Sequence, residues 1–405
     1  MQTSNRKNLF ILSFTLVVVT LGFGLVIPII PFYMENMGAG GTELGLLVAS
    51  YAFMRLIFAP IWGSFSDRIG RKPIMMIGIF GYGLTMVLFG LATELWMLFA
   101  ARILSGILSS ATSPTTMAYI GDSTSEEDRG WGMGILGAAV GLGTIFGPAL
   151  GGLLAGESLS TPFIIAGAMS MLALILIATL LPESLPKESR QPVGKKIPIP
   201  ELRLWWQALS SPIGILLVLA FILTCGLMVF YGIFGLYALE KFNYGPKEVG
   251  IIFMVVGLVS AITQGGLTGP ITRRWGESPV IKIGMLGSAL AFILMSLAEN
   301  YWSLLITIGL FVFTTSILTP AVSSLTSKRA ATQQGMAMGL SNSFMSLGRI
   351  AGPLWAGFVL DLNLIYPFIS GAVVMSIGFI VSLVWLRGDL PATTNQKGVD
   401  QATLS

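Results

Sequence analysis

The 405-residue chain has no histidine, one cysteine and few charged residues. Without histidine, the side chain that usually titrates near neutral pH is missing, so a carboxylate must serve any proton-coupled step. The single cysteine, Cys225, excludes a disulfide within the chain, and its apolar surroundings offer no further metal ligand. No nucleotide-binding loop is present, which excludes ATP as the direct energy source. We therefore expect no cofactor and no metal.

Charged residues make up only 10% of the chain, against roughly 25% in soluble domains. Hydrophobic residues make up 54%, and the mean hydropathy is +0.82. This composition indicates an integral membrane protein that lies in the lipid bilayer. The net charge of +4 is not gathered in a basic patch with interleaved aromatic residues, so no nucleic-acid partner is expected. The chain also lacks a soluble domain and a catalytic constellation, which argues against an enzyme or a sensor.

Apolar runs of about 20 residues predict membrane-spanning helices. A proline-rich, basic stretch separates two sets of six such runs, and we interpret it as a linker. The prediction is an all-α membrane protein with a first six-helix half at 1–181, a linker at 182–211, a second half at 212–386 and a tail at 387–405. The twelve helices are expected near residues 8–34, 42–65, 73–92, 95–120, 130–156, 160–181, 212–240, 246–270, 278–298, 301–327, 332–360 and 364–386.

The basic residues predict the orientation in the membrane. Most of the 23 Lys and Arg residues lie in the termini and in the loops on the same side, whereas the opposite loops hold only Lys241 and Lys247. Because basic loops stay in the cytoplasm, both termini are predicted to be cytoplasmic, in a multi-pass protein of the cell membrane.

A repeat relates the two predicted halves. A pattern of glycines and proline in the fifth helix recurs 205 residues later in the eleventh, where Gly348, Gly352, Pro353 and Gly357 take the places of Gly143, Gly147, Pro148 and Gly152. Parallel repeats of this kind are typical of transporters whose substrate site lies between the halves, near the middle of the bilayer. The repeat therefore predicts both two pseudo-symmetric halves and a central cavity.

The loop at 63–72, between the second and third helices, combines one acid, three bases and a turn glycine. Its sequence resembles the signature loop of the major facilitator superfamily of secondary transporters. The resemblance implies a conformational latch that holds the two halves together in the outward-facing state; the alternative is a topology anchor. Neighbouring bases are expected to compensate for the loss of Arg71. The residues assigned to the latch are Gly63, Asp67, Arg68, Gly70, Arg71, Asp122 and Arg129.

The fifth helix carries glycines four residues apart, which line one face and allow a partner helix to come close. We expect this face to form a dry contact between the two halves that prevents proton leakage. The segment resembles the antiporter motif of the twelve-helix drug:proton antiporter family, which implies export rather than uptake; ordinary small-residue packing is the alternative. The motif residues are Gly143, Gly147, Pro148, Gly151 and Gly152.

Two further segments resemble the same family. One is residues 21–31 in the first helix, and the other is residues 98–106 in the fourth, which contains Arg102. A charge in the bilayer is costly, so Arg102 should face the interior and find carbonyls or a carboxylate. The resemblance ties Arg102 to proton coupling and is greatest to Gram-positive multidrug and quinolone efflux pumps. Tyr231 and Thr319 occupy positions where such pumps often carry a glutamate and an arginine.

None of the 19 acidic residues lies at a mid-membrane position. The proton carrier must therefore come from the end of a helix. Asp361, at the end of helix eleven, is the first candidate, and Glu35, at the end of helix one, is the second. The alternative for Asp361 is a solvated helix cap.

The expected cavity wall is aromatic and rich in methionine, and such walls adapt to varied lipophilic molecules. Arg55 and Arg349 lie inside predicted spans, where they either contact a polar or anionic substrate group or pair structurally. Aromatic residues at helical spacing are also common in ordinary cores. The substrate-binding candidates are Arg55, Tyr231, Phe234, Gln264, Asn342, Phe344 and Arg349.

These observations predict a proton-coupled secondary exporter of amphipathic small molecules, with multidrug efflux as the first interpretation. Its expected partners are a lipophilic substrate, protons and the lipid bilayer, and it is expected to act as a monomer. One alternative is an exporter with narrow specificity for tetracycline, a sugar or a lipid-like metabolite. Another is a proton-coupled uptake symporter, or a uniporter.

Overall fold

The computed structural model describes residues 3–123, 129–156, 158–190, 202–330 and 334–386. Within these ranges, all regular structure is helical. Besides the α-helices there is a 3-10 turn at Lys187–Ser189 and a π-helical turn at Thr263–Leu267. The α-helices are α1 Thr3–Val26, α2 Ile30–Glu35, α3 Gly41–Ile69, α4 Arg71–Gly90, α5 Leu95–Ser109, α6 Thr112–Ser123, α7 Arg129–Leu154, α8 Thr161–Leu180, α9 Leu202–Leu209, α10 Gly214–Phe242, α11 Pro246–Ile262, α12 Thr268–Trp275, α13 Glu277–Ser296, α14 Tyr301–Arg329, α15 Gln334–Leu362 and α16 Tyr366–Trp385.

Ten stretches of the described chain are long and apolar enough to cross a membrane. Helices α5 and α6 form one of them, and α11, the π-helical turn and α12 form another. The first span is divided between α1 and α2 by a turn that contains Pro28, because proline lacks the N–H that a continuous helix needs. Helix α15 is more polar, but it packs along α10 and α3. The first span and α15 bring the total to the predicted twelve spans.

The charged segment between the second and third spans is shorter than predicted. The sequence predicts the end of a helix near residue 65, whereas α3 continues to Ile69 and α4 begins at Arg71. Gly70 alone turns the chain, with φ +124°, a conformation that residues with a side chain rarely adopt. As a result, Asp67 and Arg68 lie on the last turn of α3 rather than in a loop.

The repeated glycines make equivalent contacts in the two halves. Within the first half, a methyl group on Gly147 of α7 would stand 2.6 Å from the Cα of Gly24 in α1. Within the second half, a methyl group on Gly352 of α15 would stand 2.5 Å from the carbonyl oxygen of Cys225 in α10. Each pair of helices therefore meets backbone to backbone.

The two halves meet at the outer end of the bundle, by which we mean the end opposite the base-rich loops. A methyl group on Gly257 of α11 would stand 2.9 Å from the Cα of Ile145, and one on Gly235 of α10 would stand 2.7 Å from the ring of Pro31. Gly357 of α15 likewise lies directly against Gly41 of α3. Three pairs of helices thus close the outer end.

The base-rich end is open. Gly141 and Gly137 continue the face of α7 that meets α11 nearer the outer end, yet no described atom lies within 4 Å of the place where their side chains would start. The described surroundings are equally empty at Gly265, Gly266 and Gly269 beyond α11 and at Gly335 and Gly339 at the start of α15. The structure is therefore a two-half bundle that is closed outside and open on its basic side.

Candidate functional site

A carboxylate fastens the closed outer end. Asp361, at the end of α15, accepts hydrogen bonds from the backbone N–H groups of Gly41 (2.6 Å) and Thr42 (2.8 Å) and from the hydroxyl of Thr42. These donors form the first turn of α3, where a negative charge is stabilised by the helix dipole. Because α15 and α3 belong to different halves, Asp361 joins the two halves directly.

Both predicted proton carriers lie at this outer end. Glu35 ends α2, and both it and Asp361 are close enough to Glu240 of α10 to repel its charge. The closed gate lies between these acids and the opening on the basic side. Their location agrees with the prediction that a carrier comes from a helix end, and their part in proton coupling remains a prediction.

Two faces of the antiporter motif contact other helices, and the prediction that its glycine face joins the two halves is wrong. Gly143, Gly147 and Gly151 pack against α1, which belongs to the same half. The contact between halves uses the neighbouring face instead, where Pro148 and Gly152 meet Gly250 of α11. Successive helix positions differ by about 100°, so adjacent residues of one motif reach different helices.

Arg71 is the centre of the predicted latch cluster. Its guanidinium donates to Asp122 (2.9 Å), to the hydroxyl of Ser66 (2.7 Å) and to Asp67, and the residue is only 8% exposed. All these groups belong to the first half, so the cluster does not join the halves in this open conformation. Asp67 keeps a third of its side-chain surface exposed, and its part in a latch between the halves remains a prediction.

The rest of the predicted latch surrounds this centre. Gly63 lies on α3 near Pro114, Arg68 lies on the last turn of α3, and the side chain of Arg129 lies outside the described residues. Sequence reasoning missed Glu183, whose carboxylate accepts from the backbone N–H groups of Arg71 (2.8 Å) and Lys72 (3.3 Å). The signal available in the sequence was an acidic residue within a base-rich segment. Glu183 caps the start of α4, where the helix dipole stabilises a negative charge.

The buried position of Arg71 corrects the expectation that neighbouring bases can replace it. We expect Arg71→Ala to lower the free energy of unfolding by about 2–3 kcal/mol, because charged hydrogen bonds are lost and two carboxylates are left facing each other. The measurement is the melting temperature of the purified protein. Lys72→Ala is the matched control, since the Lys72 ammonium donates to one carbonyl among the described residues, that of Ala178. Equal melting temperatures for the two variants would contradict this role.

For Asp67, we expect Asp67→Asn to reduce transport by about tenfold or more while leaving membrane abundance unchanged, because the latch implied by the resemblance depends on charged hydrogen bonds of Asp67. Asp122→Asn is the control, since it removes the other carboxylate from the same arginine. The comparison is export rate per folded protein. Similar losses in both variants would mean that Asp67 matters only as a partner of Arg71.

Arg102 contacts an aromatic ring rather than the predicted carbonyl or carboxylate. Its guanidinium carbon lies 4.7 Å from the centre of the Tyr51 ring, a cation–π contact. Within the described chain, its Nε has no hydrogen-bond acceptor. The hydroxyl of Tyr51 lies 3.3 Å from that of Ser109 and also interacts with Arg55, one turn along α3. Sequence reasoning missed Tyr51, although its spacing of four residues from Arg55 places both on one face.

Tyr231 lines an apolar crevice between the halves. The crevice encloses about 220 Å³ and is formed by α1, α7, α10 and α11. Tyr231 stacks on Phe253 (ring centres 5.8 Å apart), and Phe23 stacks on Tyr82 (4.1 Å) at the opposite wall. Tyr231 thus lies where a substrate could reach it, and its part in substrate binding remains a prediction.

Two other aromatic candidates do not face this crevice. Phe234 is fully buried among Phe230 and Phe253, and Phe344 packs on Trp205 of the linker helix α9, with ring centres 6.1 Å apart. On α15, Phe344 belongs to the face that meets α10 because it is four residues from Gly348. Their assignment as pocket residues is therefore wrong in this conformation.

The polar candidates are exposed on the open side. Gln264 lies in the π-helical turn and donates to the hydroxyl of Ser260 (2.8 Å), and Asn342 lies on an exposed face of α15. Arg55 and Arg349 are also exposed, and they interact electrostatically with each other across the two halves. The structure thus brings the two arginines together but separates them from Phe344.

Comparisons with known proteins agree with this architecture. The model of the Major Facilitator Superfamily matches residues 12–279 and 216–405. Multidrug resistance protein 2 of Bacillus subtilis (strain 168) is 31% identical over 388 residues, which cover 94% of this chain and 96% of the relative. Quinolone resistance protein NorA of Staphylococcus aureus (strain COL) is 30% identical over 381 residues, with coverages of 94% and 96%.

A solved structure has the same fold. It is a bacterial homologue of the human lysosomal transporter Spinster in an inward-facing and occupied conformation, with a TM-score of 0.74, 13% identity and coverages of 94% of this chain and 96% of that one. The family inferred from the loop at 63–72 is thereby confirmed. This chain belongs to the Major Facilitator Superfamily and is a transporter rather than an enzyme.

Proposed function

We propose that this protein exports amphipathic small molecules from the cell in exchange for protons, and that it accepts several chemically unrelated drugs. The observation that carries the proposal is the end-to-end similarity to two relatives whose names state multidrug and quinolone resistance. The described residues contain no group of ligands suited to a metal ion. In this proposal, a proton gradient is the energy source, and the protein works as a monomer in the cell membrane.

The proposed cycle alternates between two gates. With both termini in the cytoplasm, the open side faces the cytoplasm, and a lipophilic molecule enters there or from the inner leaflet. The halves then rock: the outer contacts around Asp361 and Gly357 separate, while Asp67 engages the second half on the cytoplasmic side. Before it leaves, the substrate contacts Tyr231 in the cavity wall and the polar side chains of Gln264 and Asn342. In this scheme, Asp67 of α3 serves the cytoplasmic gate and Asp361 of α15 serves the outer gate.

Proton coupling in this proposal depends on the outer acids. Asp361 accepts hydrogen bonds from two N–H donors at the start of α3, so loss of its negative charge would weaken the closed outer gate and favour substrate release. Glu35 is the second carrier, and Arg102 is included through the resemblance of its helix to related antiporters.

The test is a growth-inhibition panel in a host that lacks its own efflux pumps, combined with proton release from vesicles on substrate addition. We expect protection against several unrelated amphipathic drugs, and proton movement opposite to the drug. Protection against a single compound would favour a narrow exporter. Greater drug accumulation in expressing cells than in cells with the empty vector would favour uptake and overturn the proposal.

A further inference from the structure

We propose that the ceiling of the central cavity is an anion site, formed by Arg55, Arg349 and Tyr51. Its substrates would carry a carboxylate, sulfonate or phosphate beside an apolar body. This inference rests on the proposed export function and narrows its substrate class. It uses residues on both halves, so the bound anion would contact each half at once.

The position of the two arginines follows from the α3–α15 contact. Residues 349, 353, 357 and 361 lie four apart on one face of α15, and the upper three of them meet the start of α3 around Gly41 and Gly45. Arg349 continues this face one turn below the last contact. Arg55 lies ten residues beyond Gly45, or about 15 Å along α3. Arg349 therefore lies about 6 Å and Arg55 about 15 Å below the last close backbone contact between the two helices, on the open side of that contact.

Their charges are not neutralised within the described chain. Each arginine lies near the middle of a 29-residue spanning helix, whereas the ion pairs of the described residues lie at the base-rich end. Arg55 and Arg349 interact with each other, and no carboxylate within the described ranges pairs with either. Two like charges in a membrane protein are costly without a counter-charge. A substrate anion would supply it.

The site is held in place before any ligand arrives. The hydroxyl of Tyr51 interacts with Arg55 on one side and lies 3.3 Å from that of Ser109 on the other. The ring of Tyr51 lies against Arg102, which adds a third positive charge whose buried Nε has no described acceptor. Guanidinium groups suit planar anions, because their N–H donors match the two oxygens of a carboxylate or phosphate.

A place for the apolar body adjoins this site. Tyr82 is within electrostatic reach of both Tyr51 and Arg102, and it stacks on Phe23. Phe23 in turn lines the apolar crevice that also contains Tyr231. The stacked pair of Tyr82 and Phe23 therefore lies between the anion site and the crevice, so aromatic rings lie beside the place proposed for the anion.

The test uses three dansyl dyes that share one fluorophore and differ in charge: dansylglycine, its neutral amide and a dansyl quaternary ammonium. Binding is measured by fluorescence with the purified full chain in nanodiscs of zwitterionic lipid. We expect the carboxylate to bind at least about tenfold more tightly than either of the others, since charged hydrogen bonds give selectivity of that order. Tighter binding of the cation would overturn the inference.

Single substitutions test which residues cause the preference for the anionic dye. Arg55→Gln and Arg349→Gln should each weaken carboxylate binding by about tenfold and leave binding of the neutral amide unchanged. Arg274→Gln, which removes an exposed charge at the base-rich end of α12, is the matched control and should change neither. Equal weakening for all three dyes would show that the arginines are structural, and an unchanged preference would place the anion elsewhere; either result overturns the inference.

Transport distinguishes this inference from the proposed function. In proteoliposomes, export of an anion in exchange for a proton moves two charges in the same electrical direction, so a potassium diffusion potential should accelerate dansylglycine export. One-for-one exchange of the cationic dye for a proton is electrically neutral and should not respond. If the neutral and cationic dyes are exported but the anion is not, only the anion site fails. If no dye is bound or exported, the proposed function fails with it.

Discussion

Replacement of Gly147 by leucine should reduce export by about tenfold or more, because overpacking where two backbones touch forces the helices apart. A single methyl group at this position would already stand 2.6 Å from the Cα of Gly24 and 3.0 Å from the carbonyl oxygen of Leu21. Leucine is far larger, so α7 must separate from α1 or rotate. Rotation would also move Pro148 and Gly152 away from α11 and so disturb the contact between the halves.

The measurement is drug export per folded protein, together with the melting temperature and, in vesicles, passive proton leak. Gly141→Leu is the matched control on the same helix, because no described atom lies within 4 Å of its side-chain position. We expect Gly141→Leu to fold with normal stability. Unchanged export in Gly147→Leu would mean that the close helix contact is dispensable, and equal damage in both variants would mean that the size of the residue matters independently of this contact.

Replacement of Asp361 by asparagine should uncouple export from the proton gradient and leave at most substrate equilibration. The amide keeps the shape of the carboxylate but loses its charge, so it holds the first turn of α3 more weakly. The outer gate then opens without protonation. The decisive measurement is uphill drug efflux against an imposed pH gradient in proteoliposomes.

Two controls identify the carrier. Glu43→Gln removes a carboxylate from the same turn of α3, but Glu43 accepts from Gly40 of its own half (2.9 Å) and should retain pumping. If Asp361→Asn still concentrates substrate and Glu35→Gln does not, the carrier is Glu35. If both variants pump normally, coupling runs through the basic-side acids Asp67 or Asp122, and the assignment to the outer acids is wrong.

The state of the gate can be followed independently. Spin labels at Asn36 and Asn363, which are exposed at the outer ends of the two halves, report the separation of the halves when Cys225 is first replaced by serine. In Asp361→Asn, the population with the longer distance should grow. An unchanged distance distribution would exclude a gate-closing role for Asp361.

The glycines of the fifth helix show how much of a helix contact can be predicted from the sequence. Their spacing of four predicts a close helix contact, and the contact exists. The partner could not be read from the spacing, because several helices offer small residues to receive it. Only the tertiary structure shows that Gly147 contacts α1 and that Gly152 contacts α11.

The charged residues show the same limit. The sequence places Asp361 at the end of a helix and Arg71 beside Asp67, since these are local facts. It does not show that Asp361 caps a helix some 320 residues away in the chain, nor that Glu183 caps α4, from which it is separated by three further spans. Contacts of this kind join distant segments, and a single sequence carries no signal for them.

The sequence by itself determined the membrane setting, the number of spans, the repeat and the superfamily, because these depend on the hydropathy of each segment and on local turn chemistry. The tertiary structure alone decided which side of the bundle is open, which aromatic residues face the crevice and which are core, and that Arg55 and Arg349 lie within electrostatic reach of each other across the halves. Those outcomes depend on how each helix is rotated and which neighbour it meets. Rotation is set by the sum of many weak contacts between helices, and no single segment contains that sum.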